Sequence, residues 1–190
     1  MPLYQNTATV PSQYLTVGNY KIESAPYGTT AGGTWVNLGA GIVNKFGYNV
    51  TKYDVQAGNS ADPIEGVSDE TFTIDAELIE YEASRLAALS GGLLTKSTGG
   101  SGVTVLKGGG KTSITERAIK LTNRRLIGSV TSSTVVLVYK ATLDTGLQFT
   151  AKSDNDADPV NVMPLTITAK LDTTKTAGEQ LFSITRTYNA

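Results

Sequence analysis

Residues 67–92 read VSDETFTIDAELIEYEASRLAALSGG, and their apolar period changes partway along. Phe72, Ile74, Ala76 and Leu78 alternate with Thr71, Thr73, Asp75 and Glu77, the period of a half-buried strand. From Ile79 the spacing opens, and Ala83, Leu86 and Ala87 fall on one face of a helix. Gly91 and Gly92 supply the left-handed residues at which helices stop. The stretch therefore predicts a strand over 72–78 running directly into a short helix over 80–90.

Working outward, the same alternation recurs. GNYKIESAP (18–26) predicts a strand closed by Pro26, and YGTTAGGTWVNLGAG (27–41) a Gly-rich connection around Trp35. IVNKFGYNVTKYDVQA (42–57) reads as one long strand with a fault. Phe46, Tyr48 and Val50 keep one phase and Tyr53 and Val55 the other, so a β-bulge near Thr51–Lys52, or a strand end there, is expected. GNSADPIEGVSDE (58–70) reads as a long loop. SGGLLTKSTGGSGVTVLKGGGK (90–111) predicts turns around a brief strand at 103–106. TSITERAIKLTNRRL (112–126) fits either element and is assigned to β for its Thr content and strand neighbours. Residues 133–143, 162–172 and 179–188 alternate as strands, and DTGLQFTAKSDNDADP (144–159) reads as a hairpin and acidic loop. The sum is a mainly β chain, a β-sandwich or barrel-like fold with one short flanking α-helix. Residues 1–17 are expected to form a flexible, extended N-terminal arm and 18–190 a single β domain.

Composition narrows the chemistry. The 190 residues include no Cys and no His, which removes disulfides, thiolate nucleophiles, the commonest general base and nearly every zinc site. No nucleophile–base–orienter set can be assembled, so the chain is not expected to be an enzyme or to carry a cofactor or metal. A formal net charge of −1 lacks the basic excess of a protein that grips duplex DNA. The start lacks a basic, apolar leader and no apolar run reaches membrane-spanning length, so a protein made inside the cell, without membrane contact, is expected.

Three local motifs have plain explanations. Gly110-Lys111-Thr112 ends like a phosphate loop, but Val105 stands where that motif needs its first Gly, so a glycine turn is the better account. Asp154, Asp156 and Asp158 have calcium-loop spacing, yet Pro159 replaces the required Gly and Leu165 the required Glu. Arg117, Lys120, Arg124 and Arg125 form a basic cluster, with Glu65, Asp69, Glu70, Asp75, Glu77, Glu80 and Glu82 as its acidic counterpart. Pairing on the sheet or with a neighbouring subunit is the simplest use of both.

GTWVNLGAG, the run from GYNVTKYDVQAG through SRLAALSGG, and the closing MPLTITAKLDTTKTAGEQLFSITR together resemble the major tail tube proteins of long-tailed bacteriophages. The resemblance spans most of residues 30–190; the Gly-rich 90–111 segment is longer than the family pattern and residues 1–17 match none of it. It implies a virion structural protein, assembled in the host cytoplasm as hexameric rings that stack into a hollow tail tube. Its partners would be further copies of itself, a tape measure, a tail terminator, a tail-tip initiator and, weakly and without sequence preference, double-stranded DNA in transit. It also implies an inter-ring stacking loop at about 52–68, carried here onto Tyr53, Asp54, Val55, Gln56, Asp62, Ile64 and Glu65. The helix would pack on the outer side of the sheet through Ala83, Leu86 and Ala87. If six subunits lend four strands each, roughly 24 strands ~4.8 Å apart and tilted ~40° make a barrel about 48 Å across, with a bore of roughly 35–40 Å. A terminator or connector ring, a contractile-type inner tube, and a monomeric β-sandwich that binds the host surface are the alternatives.

Overall fold

The computed structural model describes residues 18–30, 32–55, 64–79, 82–101, 103–127, 130–143 and 162–189. Nine strands and one helix follow in order: β1 (Gly18–Pro26), β2 (Val36–Val55), β3 (Ile64–Leu78), α1 (Ala83–Leu89), β4 (Leu94–Thr98), β5 (Thr104–Gly108), β6 (Arg117–Ile127), β7 (Val130–Leu143), β8 (Met163–Ala169) and β9 (Phe182–Asn189). The chain is mainly β with one short helix. Seven strands form one antiparallel sheet in the order β6-β1-β2-β3-β8-β7-β9, and β6 also pairs with β7. That extra pairing joins the sheet into a hydrogen-bonded ring of six strands. β9 continues along the edge of β7 that β8 leaves free: β9 takes Thr131 to Val138 and β8 takes Ala141 to Leu143.

Alternation selects the inner face. Phe72, Ile74, Ala76 and Leu78 on β3, Met163, Leu165, Ile167 and Ala169 on β8, and Val136 and Val138 on β7 are all buried. A row of rings crosses this interior. Tyr20 meets Phe46 edge-on, Phe46 lies near-parallel to Phe72, and Phe72 stacks on Phe182 with centroids 3.9 Å apart. Register shifts help the sheet curl: Leu38 is the extra residue opposite β1, and Asn44 the extra residue opposite β3. Gly41 sits where β2 passes closest to β1, and a Cβ there would meet the Ile22 Cδ1 at 2.5 Å and the Glu77 carbonyl oxygen at 2.9 Å.

Several sequence expectations change. The Gly-rich connection ends at Val36, because residues 36–41 pair with β1. The presumed loop over 58–70 is strand from Ile64 onward. The turns of 90–111 hold two strands, β4 and β5, which pair with each other as a separate hairpin. The ambiguous 112–126 segment is strand from Arg117, β6. The helix is shorter than 80–90. It contributes Leu86 and Leu89 to the buried core and so closes the barrel interior instead of lying outside it. Gly91 and Gly92 follow it with φ of 60° and 91°, the left-handed stop that the sequence called for.

Candidate functional site

The longest strand pair leaves the body of the sheet. β1 pairs with β2 only as far as Val43, and β8 pairs with β3 only from Thr73. Beyond both points β2 and β3 pair with each other alone, from Tyr48–Phe72 out to Val55–Ile64. At about 3.3 Å per residue, the stretch 48–55 makes a two-stranded ribbon reaching about 26 Å. Among the described residues its two outer edges have no strand partner, which leaves rows of backbone N–H and C=O groups open to another chain.

The bulge expected near Thr51–Lys52 lies in this ribbon, with its extra residue on the other strand. Thr51 faces Asp69 and Lys52 faces Val67, so Ser68 is the unpaired insertion, and its hydroxyl donates to the Thr51 carbonyl at 3.0 Å. β2 therefore runs on without a phase change. Tyr48, Val50 and Lys52 share the face of the aromatic row, while Tyr53 points to the opposite face. A ribbon without a core on either side has no reason to keep one face apolar. Tyr48, Tyr53 and Val67 are each about half exposed, at 51%, 50% and 53%, and Val50 is exposed too.

Polar pairs hold the ribbon's register without adding much stability. Lys52 and Glu65 form an ion pair at 3.0 Å with both side chains largely in water, the kind worth a fraction of a kcal/mol. Tyr48 donates its hydroxyl to Glu70 at 2.9 Å, and this bond to a carboxylate raises the phenol's pKa. Tyr53 covers Gly66, its cross-strand partner.

The residues singled out from sequence fall as follows. Tyr53, Asp54 and Glu65 project from the ribbon, and Val55 and Ile64 are its last described pair. These are strand positions, so the loop expected at 52–68 is strand over 52–55 and 64–68. Gln56 and Asp62 lie outside the described residues, as do the arm 1–17 and the acidic run 154–158. Of the helix residues, Leu86 is buried while Ala83 and Ala87 are half-buried. The missed partner is Leu89, visible in principle at the i+3 position from Leu86. Gly66 and Val67 were missed as well, because Gly66 read as a loop breaker rather than as room for a ring. Gly110 is in a positive-φ turn, and the next regular element after Thr112 is strand β6, so no helix end faces a phosphate there.

The acidic and basic clusters separate in space. Asp69 and Glu70 stay on the ribbon, whereas Asp75 accepts a hydrogen bond from Thr166 and Glu77 one from Asn44. Arg117 is drawn inward and donates to the Ser24 hydroxyl at 3.1 Å. Lys120 pairs with Glu23 at 3.0 Å and sits over the Trp35 ring. Burial alone would raise the Glu23 carboxyl, but the hydrogen bonds from Lys21 and Lys120 outweigh it and hold the pKa below the ordinary range. A second polar knot ties the connection before β9 to the one after β1. Asp172, buried, accepts from the Tyr27 hydroxyl at 2.7 Å and from the Thr174 hydroxyl at 2.6 Å. Among the described residues no group of three or more acidic side chains is placed to hold a metal ion, and no helix is long and apolar enough to cross a membrane. Compared with protein-family models and with curated proteins, the sequence matches none.

Proposed function

We propose that the chain is a structural subunit that assembles with copies of itself into stacked rings, forming the tail tube of a long-tailed bacteriophage. One observation carries the reading: a ribbon of about 26 Å leaves a closed β body, with both strand edges unpaired among the described residues and with exposed Tyr48, Tyr53 and Val67 along it. A monomer that kept such a ribbon in water would expose an aggregation-prone edge, and natural sheets avoid that by pairing or covering it. Repeated docking of the ribbon on a different surface of the next copy is a heterologous contact, which generates rings or open filaments. The motif resemblance supplies the tail tube as the particular polymer. A tape measure, terminator and tail-tip initiator are its expected partners, and DNA passes through it by weak, non-specific contact.

The architecture sets a condition on this reading. Six copies sharing the ribbon alone would close about 12 strands, roughly 24 Å between backbones and about 14 Å of free bore. That barely exceeds the ~12 Å major groove of duplex DNA and cannot pass the duplex. One further strand per copy would make about 18 strands and a bore of roughly 26 Å. At least one strand beside the ribbon must therefore also face the bore, and β1 and β8, which flank it in the sheet, are the nearest.

Negative-stain electron microscopy of the concentrated protein tests the proposal. Hollow tubes of uniform width, with a bore wider than duplex DNA, are the expected result. Single rings that never stack would point to a terminator. Monomers that persist with tail-initiation components added would overturn the reading in favour of a monomeric binding module.

A further inference from the structure

We propose that a groove on the outer face of β1, β6 and β7 is the seat for the distal ribbon of a second copy of this chain. The inference rests on the assembly reading above, since it takes the ribbon as a contact between copies. The groove has a volume of about 1000 Å³, and its lining includes four cations, Lys21, Arg85, Lys120 and Arg124, against one carboxylate, Glu23.

Alternation builds it. Tyr20 and Ile22 face the core on β1, which turns Lys21 outward; Ile119 and Leu121 do the same on β6, which turns Lys120 and Arg124 outward. Register then sets Glu23 beside Lys120 and Arg124 beside Ser133 of β7. Glu23 serves two ammonium groups at once, Lys21 at 2.7 Å and Lys120 at 3.0 Å, so one positive charge of the three is left over. Arg124 is exposed and makes no ion pair among the described residues, which adds a second. Val135 gives the surface an apolar component.

The ribbon is the complement on both counts. It carries Asp54, Glu65, Asp69 and Glu70 against Lys52, and Lys52 already neutralises Glu65. Tyr53 and Val67 provide exposed apolar surface close to Asp54 and Asp69. Opposite potentials across an interface steer encounter and fix register, while apolar area supplies affinity. Other segments fit less well. Residues 1–17 contain no charged side chain, and residues 152–159, KSDNDADP, are acidic but contain no large apolar side chain. The ribbon cannot fill its own groove either. β2 is one continuous strand from Asn37, Gly39 and Ala40 at the groove wall through to the ribbon, which leads it away from that wall.

Charge reversal tests the pairing. Asp54→Lys with Asp69→Lys reverses the ribbon; Lys21→Glu with Arg124→Glu reverses the groove. Arg124→Ala alone, outside the Glu23 network, keeps the test readable if the double groove variant folds poorly. Self-association is read by light scattering and sedimentation at low and high salt. The ribbon reversal is expected to keep its circular dichroism and melting temperature, the groove reversal to melt lower because Lys21 is a partner of Glu23, and both to need at least tenfold more protein for half-assembly. An equimolar mixture of the two should recover association, because each ribbon again meets an opposite groove. Wild-type association by either reversed variant would overturn the seat while leaving assembly intact. Loss of association on Asp154→Asn, Asp156→Asn and Asp158→Asn, with the ribbon reversal silent, would replace the ribbon by that acidic segment. A wild-type protein that never associates, even with tail-initiation components, would overturn the seat together with the assembly reading.

Discussion

The ring of Tyr53 lies across Gly66, the residue opposite it in the ribbon, so closely that a Cβ on Gly66 would sit 2.7 Å from the Tyr53 Cε1 and hydroxyl. An aromatic ring over a cross-strand glycine restores packing that the glycine gives up, and it stiffens a two-stranded segment that has no core beneath it. Gly66→Ala should therefore dislodge Tyr53 and loosen the ribbon, seen as faster amide exchange over 51–55 and 64–69. The melting temperature of the body should hardly move. Combined with Tyr53→Ala, Gly66→Ala should add almost nothing, and a double-mutant cycle that instead showed full additivity would remove the contact from the account.

Leu86 and Leu89 plug the barrel interior from the helix. Leu86→Ala is expected to cost about 2–4 kcal/mol in urea unfolding, the range for a buried leucine that leaves a cavity. Ala83→Ser and Ala87→Ser, at half-buried positions, should stay within about 1 kcal/mol. Equal losses at all three positions would contradict the placement of the helix.

Gly91 combines a φ of +60° with close approach to the Thr115 carbonyl oxygen, and its own carbonyl accepts from the Thr115 N–H at 2.8 Å. Gly91→Ala meets strain and collision together and should destabilise by about 1–3 kcal/mol. Gly92→Ala has the positive φ without the collision, its nearest atom being the Thr115 Oγ1 at 4.0 Å, and should cost less. Equilibrium unfolding of the two variants side by side decides whether close packing matters beyond backbone strain.

The acid limb of stability should report on Glu23 and Asp172. In both, burial raises the pKa, and stronger hydrogen bonds from Lys21 and Lys120, or from Thr174 and Tyr27, bring it below the ordinary value. A carboxylate lowered on folding contributes stability that is present above its unfolded pKa and lost as pH falls through the folded one. Stability should thus hold down to roughly pH 4.5 and decline below it. Glu23→Gln should lower stability at neutral pH and flatten that decline; an unchanged acid profile would mean that the two lysines do not stabilise the charged form.

Much of the fold was legible because each core strand is half-buried. The Phe72–Leu78, Met163–Ala169 and Val130–Leu143 runs alternate since one face meets the interior and the other meets water. Pro26 and Gly91 marked their boundaries for local steric reasons. The ribbon was half-legible. The break in phase between Val50 and Tyr53 pointed to the bulge region, but the inserted residue is Ser68 on the facing strand, and one strand's pattern says nothing about its partner's. Residues 64–70 read as loop because, with no core against either face, strand IEGVSDE has no apolar period to display. The groove was hidden for a different reason. Lys21 and Lys120 are far apart in the chain, and only the pairing of β1 with β6 brings them to one carboxylate.

The seam between β6 and β7 has a further meaning for how the molecule comes into being. β2 with β3, and β6 with β7, pair as neighbours along the chain, whereas β1 must wait for β6: the Asn123 side chain reaches the Asn19 carbonyl across 104 residues. Such distant pairings cost more loop-closure entropy and slow the folding of β-rich chains. Phe72 and Tyr48 acquire their cover from Phe182 in the last strand. On the ribosome, the base of the ribbon therefore lacks this cover until β9, after the other eight described strands, has emerged. The ribbon's base is thus seated by a ring that arrives after both of its own strands.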